Sequence, residues 1–185
     1  MVRGGGPTLV IARHAQRADG FDVKRKWMYT NPPPKCPWNP PLTELGERQA
    51  SALGERVRDA VGRLDVCYCS PLVRCVTTAA CALSRVDGSE ERPRIKLEQG
   101  VVEFLERQWY TLWKCNSEAH PLANTNVATI FPNAHEAGEE ARRHGVDVDE
   151  SYTSFIDVRA CNIHTLVRAN FRIMSRMCES RIACG

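Results

Sequence analysis

Thr8-Leu9-Val10-Ile11-Ala12-Arg13-His14-Ala15-Gln16-Arg17 joins an apolar run to a basic cluster. Residues 8–12, preceded by the glycines at 4–6, predict a short buried strand. At the carboxyl end of that strand His14 stands between Arg13 and Arg17. Two guanidiniums close to one imidazole oppose its protonation and favour the neutral ring. They also form a fork-shaped trap for an anion. A neutral imidazole beside a phosphate trap is what a nucleophilic histidine needs in phosphoryl transfer. A basic cluster facing solvent at a strand end accounts for the same residues equally well.

The chain downstream weighs against that plainer reading. Thr43 is placed to cap a helix on which Ala50, Leu53, Val57 and Val61 recur at helical spacing. Glu44 and Glu47 fall in its first turn, where the helix dipole favours acids. Gly46 in the same turn costs helix stability; it either admits another backbone or is simply tolerated. Residues 64–69, Leu-Asp-Val-Cys-Tyr-Cys, read as a second strand. Strand, helix and strand make a βαβ unit, which implies a mostly parallel sheet and a right-handed crossover. Ser70-Pro71-Leu72-Val73-Arg74 then opens another helix, with Ser70 as cap and Pro71 at the first helical position. Arg74 lies one turn in, at a helix amino end directed past the carboxyl edge of the sheet, a natural anion site. Arg13 and His14 emerge at the same edge, so the two clusters are expected to face one another. Residues 94–98 are a third short strand. Glu103, among the apolar residues of 100–105, is a helix-start acid, a strand-end carboxylate or a proton donor to a leaving oxygen.

Residues 19–42 hold Trp27, Tyr29 and Trp38 among many prolines, and predict an irregular ordered loop over the active face. Within it Pro34-Lys35-Cys36-Pro37 formally fits a PxxP ligand, a pattern of poor specificity. Beyond Glu103, Trp109, Tyr110 and Trp113 suggest a satellite cluster, 133–144 a short helix and 147–150 an acidic turn. A last helix is expected over 163–178, with Leu166, Val167, Phe171, Met174 and Met177 on its apolar side.

Size and composition bound what this arrangement can be. The 185 residues suffice for one core, and 1–185 is expected to be a single domain. With 43% hydrophobic and 25% charged residues the composition is that of an ordinary globular protein. A net charge of +3 without a long basic block argues against nucleic-acid binding. No apolar stretch approaches the length of a membrane helix, and the amino terminus does not read as a cleaved signal. The nine cysteines lack paired CxxC spacing with histidines, so no metal site is expected. Buried free thiols in a reducing, cytoplasmic setting are the favoured reading of them.

With both arginine clusters in place, the chain resembles the histidine phosphatase superfamily, of phosphoglycerate mutase-like fold. Pro41-Leu42-Thr43-Glu44-Leu45-Gly46-Glu47-Arg48-Gln49-Ala50 is similar to the family's "PLT..G..QA" helix start. Residues 70–79, SPLVRCVTTA, resemble the ubiquitin-associated and SH3 domain-containing (TULA-type) branch, which includes an ecdysteroid-phosphate phosphatase. Residues 98–104 resemble that branch's "EpGLFEW" segment, and 148–152 its "nvD..Y" stretch. The resemblance covers residues 8 to about 178. It implies a three-layer α/β/α fold with a mostly parallel sheet. His14 would become a phosphohistidine, Arg13, Arg17 and Arg74 would hold the phosphoryl oxygens, and Glu103 would donate a proton. No metal or organic cofactor is implied. The partner would be a phosphomonoester, either a phosphoprotein, phosphotyrosine included, or a small molecule; a homodimer stays open.

Two departures bear on activity. Ala15 stands where the family usually has glycine. The family also carries a second catalytic histidine on a late strand, whereas residues 181–185 contain none, and His120, His135, His144 and His164 fall in other contexts. The expectation is a carboxyl-terminally truncated chain whose sheet lacks that strand. Three readings follow: a phosphatase, a phospho-ligand-binding scaffold that keeps the arginine pocket, or a fragment that folds poorly alone.

Overall fold

In the computed structural model, which describes residues 8–20, 39–86, 92–101 and 134–154, Thr43 caps helix α1 (Glu44–Val61). Its hydroxyl oxygen accepts the Gly46 amide at 2.9 Å, satisfying one of the donors left open at a helix start. The face that α1 buries is built from Gly46, Ala50, Gly54 and Val57. Leu53 and Val61, expected on that face, are only half-buried. Small residues replace them at the seam because α1 and helix α2 (Val73–Val86) touch through their backbones. A Cβ on Gly54 would run into the Ala82 carbonyl, far inside van der Waals contact.

Strand β1 (Cys67–Cys69) pairs in parallel with β2 (Ile95–Leu97), in the register Cys67↔Ile95, Tyr68↔Lys96 and Cys69↔Leu97. Helix α2 connects them, giving a parallel βαβ unit in an α/β fold. Both strands are shorter than the sequence suggests. Ile95 also bridges to Val148 on its other side, through Ile95 N–H to Asp147 O and Asp149 N–H to Ile95 O, each 2.9 Å. The expected acidic turn therefore begins as a strand-like edge and turns only after it, where Asp149 Oδ1 accepts the Ser151 amide at 3.2 Å.

The core lies between α2, the strand pair and helix α3 (Ala134–Arg142). Val76, Ala80 and Leu83 of α2 meet Cys69, Ile95, Ala137, Ala141, Val146 and Val148 there. Cys67, Cys69 and Cys81 are free thiols, as expected. Burial pushes Cys67 and Cys81 up to about 11 and Cys69 well above its ordinary value, so these cysteines stay protonated and act as small hydrophobes.

Two expectations are corrected. Residues 8–12 carry no strand pairing, and Leu9, Val10 and Ile11 are 61%, 37% and 72% exposed. A strand exists only where a neighbour takes its backbone groups, and among the described residues none lies alongside this run. The βαβ unit accordingly starts from β1. Helix α2 also begins later than expected. Pro71 precedes it, and the Val73 amide donates to Asn39 Oδ1 at 2.9 Å. The cap comes from a distant segment, and Ser70 Oγ accepts only a long 3.5 Å bond from Leu72 N–H.

Of the expected 19–42 loop, both ends are described and they are tied together. Arg17 bridges Leu42 antiparallel, and Ala18 N–H donates to Pro41 O at 2.9 Å. Residues 21–38, Glu103, the 109–132 aromatic segment and the 163–178 helix lie outside the described residues. Among the described residues no helix is long and apolar enough to cross a membrane.

Gly54→Ala tests the seam. Overpacking costs about 1–3 kcal/mol or more and outweighs the helix propensity gain of about 1 kcal/mol. With each kcal/mol worth roughly 2–4 °C at this size, thermal denaturation should show a lower Tm. An unchanged or raised Tm would mean that the two backbones are not in contact.

Candidate active site

The segment 13–17 is held by its backbone. Gln16 O accepts from Thr43 N–H at 3.0 Å, and Gln16 N–H donates to Gln49 Oε1 at 3.0 Å. The Thr43 hydroxyl donates to Gln16 Oε1 at 2.7 Å while it accepts from Gly46. Gly46 is the reason the helix comes so near. A Cβ there would collide with the Gln16 carbonyl oxygen, so of the two readings of this glycine the close approach is the right one. The first turn of α1 is thus stitched to the residues that follow His14.

His14 is half-buried, and its Nδ1 lies 2.9 Å from the Ala15 carbonyl oxygen. A carbonyl only accepts, so Nδ1 carries the hydrogen and, in the neutral ring, Nε2 carries the lone pair. The ring is held below its ordinary 6.5, chiefly by desolvation, with the charges of Arg74, Arg13 and Arg17 acting in the same direction. The bond to Ala15 opposes them without reversing the outcome. Near neutral pH His14 is therefore an uncharged ring with its lone pair on Nε2.

Arg13, His14, Arg17, Asp19 and Gln49 are among the residues lining a cleft of about 430 Å³. Arg74 is not part of that lining. It is 1% exposed, on the first turn of α2, and its charge reaches His14 from behind the cleft wall. The charge of Arg74 acts on His14, while the direct bond between the two segments is from Ala15 N–H to Thr78 Oγ1. Arg17 is anchored by Asp19: its Nε donates to Asp19 Oδ1 at 2.6 Å and its Nη2 pairs with Oδ2. The Asp19 side chain is only 2% exposed, so the fork is fixed before any ligand arrives.

Three further residues had no assigned role in the sequence reading. Asp19 sits two positions from Arg17 with no motif around it. Thr78 Oγ1 accepts from Ala15 N–H at 3.1 Å and donates to Arg74 O at 2.7 Å. It falls within the 70–79 motif, one turn beyond Arg74, and nothing in the sequence marked a role of its own. Glu98 is fully buried after β2 and accepts from Gly100 N–H, Ser154 Oγ and Tyr152 OH at 2.8, 2.6 and 2.7 Å. It ties the segment leading toward Glu103 to the turn at 149–154. Of the histidines set apart in the sequence, His135 is exposed on α3 and His144 lies 3.4 Å from Cys81 Sγ; neither lines the cleft. Among the described residues no three His, Cys, Asp or Glu side chains gather as a metal site.

Residues 9–144 match the histidine phosphatase superfamily (branch 1). The chain is similar to the ecdysteroid-phosphate phosphatase of Drosophila melanogaster, 37% identical over 70 residues, which is 38% of this chain and 9% of that protein. It is also similar to human ubiquitin-associated and SH3 domain-containing protein B, 30% identical over 118 residues, 52% of this chain and 18% of that one. The chain thus spans less than a fifth of the length of either relative. Among solved structures it is similar to the ecdysone phosphate phosphatase of Bombyx mori in complex with tungstate, at a TM-score of 0.53 and 25% identity. That similarity covers 92% of this chain and 54% of the other.

The ring chemistry is measurable without any substrate. Long-range ¹H–¹⁵N spectra of His14 should show the Nδ1–H tautomer at neutral pH and a protonation midpoint below 6.5. A midpoint at or above 6.5, or a dominant Nε2–H tautomer, would contradict the geometry.

Proposed function

The chain belongs to the histidine phosphatase superfamily, and from that membership and the cleft around His14 we propose that it is a phosphate-monoester hydrolase working through a phosphohistidine. The observation that carries the reading is the ring itself, a desolvated imidazole whose Nδ1–H is committed to Ala15 O while arginine charges surround it.

The steps balance as follows. The Nε2 lone pair of His14 attacks phosphorus, a P–N bond forms and the bond to the ester oxygen breaks. Glu103 supplies the proton that the leaving oxygen takes. Water then attacks phosphorus and gives a proton to the Glu103 carboxylate, the P–N bond breaks, and the lone pair returns to Nε2 as inorganic phosphate departs. Arg13 and Arg17 hold the phosphoryl oxygens from the cleft wall, and the buried charge of Arg74 adds to the field in which negative charge develops. Desolvation strengthens each of these interactions.

The substrate is a phosphomonoester, from a phosphoprotein or a small molecule. The names of the ecdysteroid-phosphate phosphatase relatives favour a phosphorylated steroid among these, and the family resemblance adds phosphotyrosine. We take residues 1–185 as one phosphatase-like domain. The free thiols at 67, 69 and 81 favour a reducing compartment, so we place the protein in the cytoplasm. A non-catalytic phospho-ligand binder is the second reading, favoured by the absence of His135 and His144 from the cleft lining.

Turnover of p-nitrophenyl phosphate or a phosphotyrosine peptide, beside His14→Ala, separates these readings. Activity abolished by that change supports the hydrolase; phosphate-competable binding without turnover supports the binder. Arg17→Lys keeps a charge opposite Asp19 but loses the fork, and should lower kcat/KM by roughly 100-fold. The pH profile carries a sign. Because the ring's pKa is lowered, kcat/KM should be flat near neutrality and fall only as pH drops through a value below 6.5. An acid limb centred above 6.5 would count against His14 as nucleophile.

A further inference from the structure

Two neighbouring threonines of α2 make the same local bond and differ in what else they reach. Thr77 Oγ1 donates to Val73 O at 2.8 Å and also lies 2.8 Å from Glu140 Oε1 on α3. Thr78 Oγ1 donates to Arg74 O at 2.7 Å and accepts the Ala15 amide at 3.1 Å. The back-bond to the preceding turn is ordinary for threonine in a helix. The second contact of Thr78 is not, because it crosses from α2 to the residue that orients the His14 ring. Ala15 is pinned on both sides, its N–H by Thr78 and its C=O by His14 Nδ1. Thr78 is 6% exposed, so water does not readily replace its hydroxyl.

We propose that Thr78 is a positioning residue for His14: its hydroxyl clamps the Ala15 backbone to the Arg74 turn and so sets the Nε2 lone pair of His14 relative to the buried guanidinium of Arg74. The inference rests on the phosphohistidine reading for its kinetic consequence and on the hydrogen bonds alone for its structural one. The chain has independent holds on the next residue, through Gln49 and Thr43 at Gln16. Loss of Thr78 therefore leaves the segment attached and lets only its His14 end shift. Misplacement of a reacting group by about 1 Å costs on the order of 100-fold in rate. The effect belongs in kcat, since Arg13 and Arg17, which line the cleft, are untouched.

The test compares Thr78→Val, Thr78→Ala, Thr78→Ser and Thr77→Val in the full chain, by kcat and KM on p-nitrophenyl phosphate and by His14 ¹⁵N spectra. Thr78→Val and Thr78→Ala should each lower kcat about 10- to 100-fold with KM changed less than about threefold. Both should also convert the His14 ring to a mixture of tautomers. Thr78→Ser should restore kcat and the Nδ1–H form. Thr77→Val should lower the Tm and leave kcat and the ring spectrum as they are. Alanine covers the case in which valine crowds the Ala15 amide and prevents folding. Wild-type kcat and ring spectrum in both Thr78→Val and Thr78→Ala would overturn the inference, as would an equal loss in Thr77→Val. If wild type and His14→Ala do not differ in turnover, the hydrolase reading fails, and the ring spectra alone decide whether Thr78 positions the ring.

Discussion

Backbone-to-backbone contact between the first turn of α1 and the residues after His14 is the constraint on which the cleft depends. A helix axis normally stands off from its neighbours by the width of its side chains. Here Gly46 removes that width, and Thr43 uses one hydroxyl both to cap the helix and to bond Gln16. Gln49 Oε1 of the helix can then accept the Gln16 amide. These bonds, with the Arg17–Leu42 bridge, hold the segment that follows His14. The glycine costs helix propensity, about 1 kcal/mol relative to alanine, and the fixed position of His14 offsets that cost.

Electrostatics follows from this placement. Arginine charges around a half-buried imidazole make the imidazolium costly, and desolvation adds more. The same charges lower the energy of a dianionic ligand that enters the cleft. One arrangement therefore does two things: it keeps the His14 ring unprotonated and it favours an anion in the cleft. The Asp19 carboxylate moderates the field and fixes Arg17 through two bonds. A flexible arginine would lose rotamer freedom on binding; one already held by a buried acid loses less.

The α2 helix serves the core and the site from opposite faces. Val76, Ala80 and Leu83 pack against the strand pair and α3, while Arg74 and Thr78 face the His14 segment. The seam with α1 fixes the rotation of α2 through Gly54 and Ala82. Rotation of α2 would move core and site together. Glu98 plays a comparable part at the end of β2, where a buried carboxylate gathers three donors and fixes the course of the chain beyond the sheet.

How much of this was legible in the sequence differs by residue. Helical periodicity and the Thr43 cap marked α1 because both are local, and strand-helix-strand order implied a mostly parallel sheet, although the unit observed runs from 67–69 to 95–97. The His14, Arg13, Arg17 and Arg74 set was legible because a neutral imidazole among guanidiniums has a chemical signature that needs no coordinates. Residues 8–12 were misread because an apolar run reports hydrophobicity and not the presence of a neighbour to bond it. The cap of α2 was misplaced because Asn39 reaches it from 34 residues away. The bond of Thr78 to Ala15 and the route of Arg74's influence were likewise illegible, since each depends on segments far apart in the chain, and the Asp19 pairing with Arg17 depends on how the backbone turns between them. Residue identity by itself marked His14 and its arginines as candidates for a phosphate site. Only the tertiary structure decided which nitrogen of His14 is the base, which arginines face the cleft and which lies behind it, because hydrogen-bond partners and burial are properties of the packed backbone.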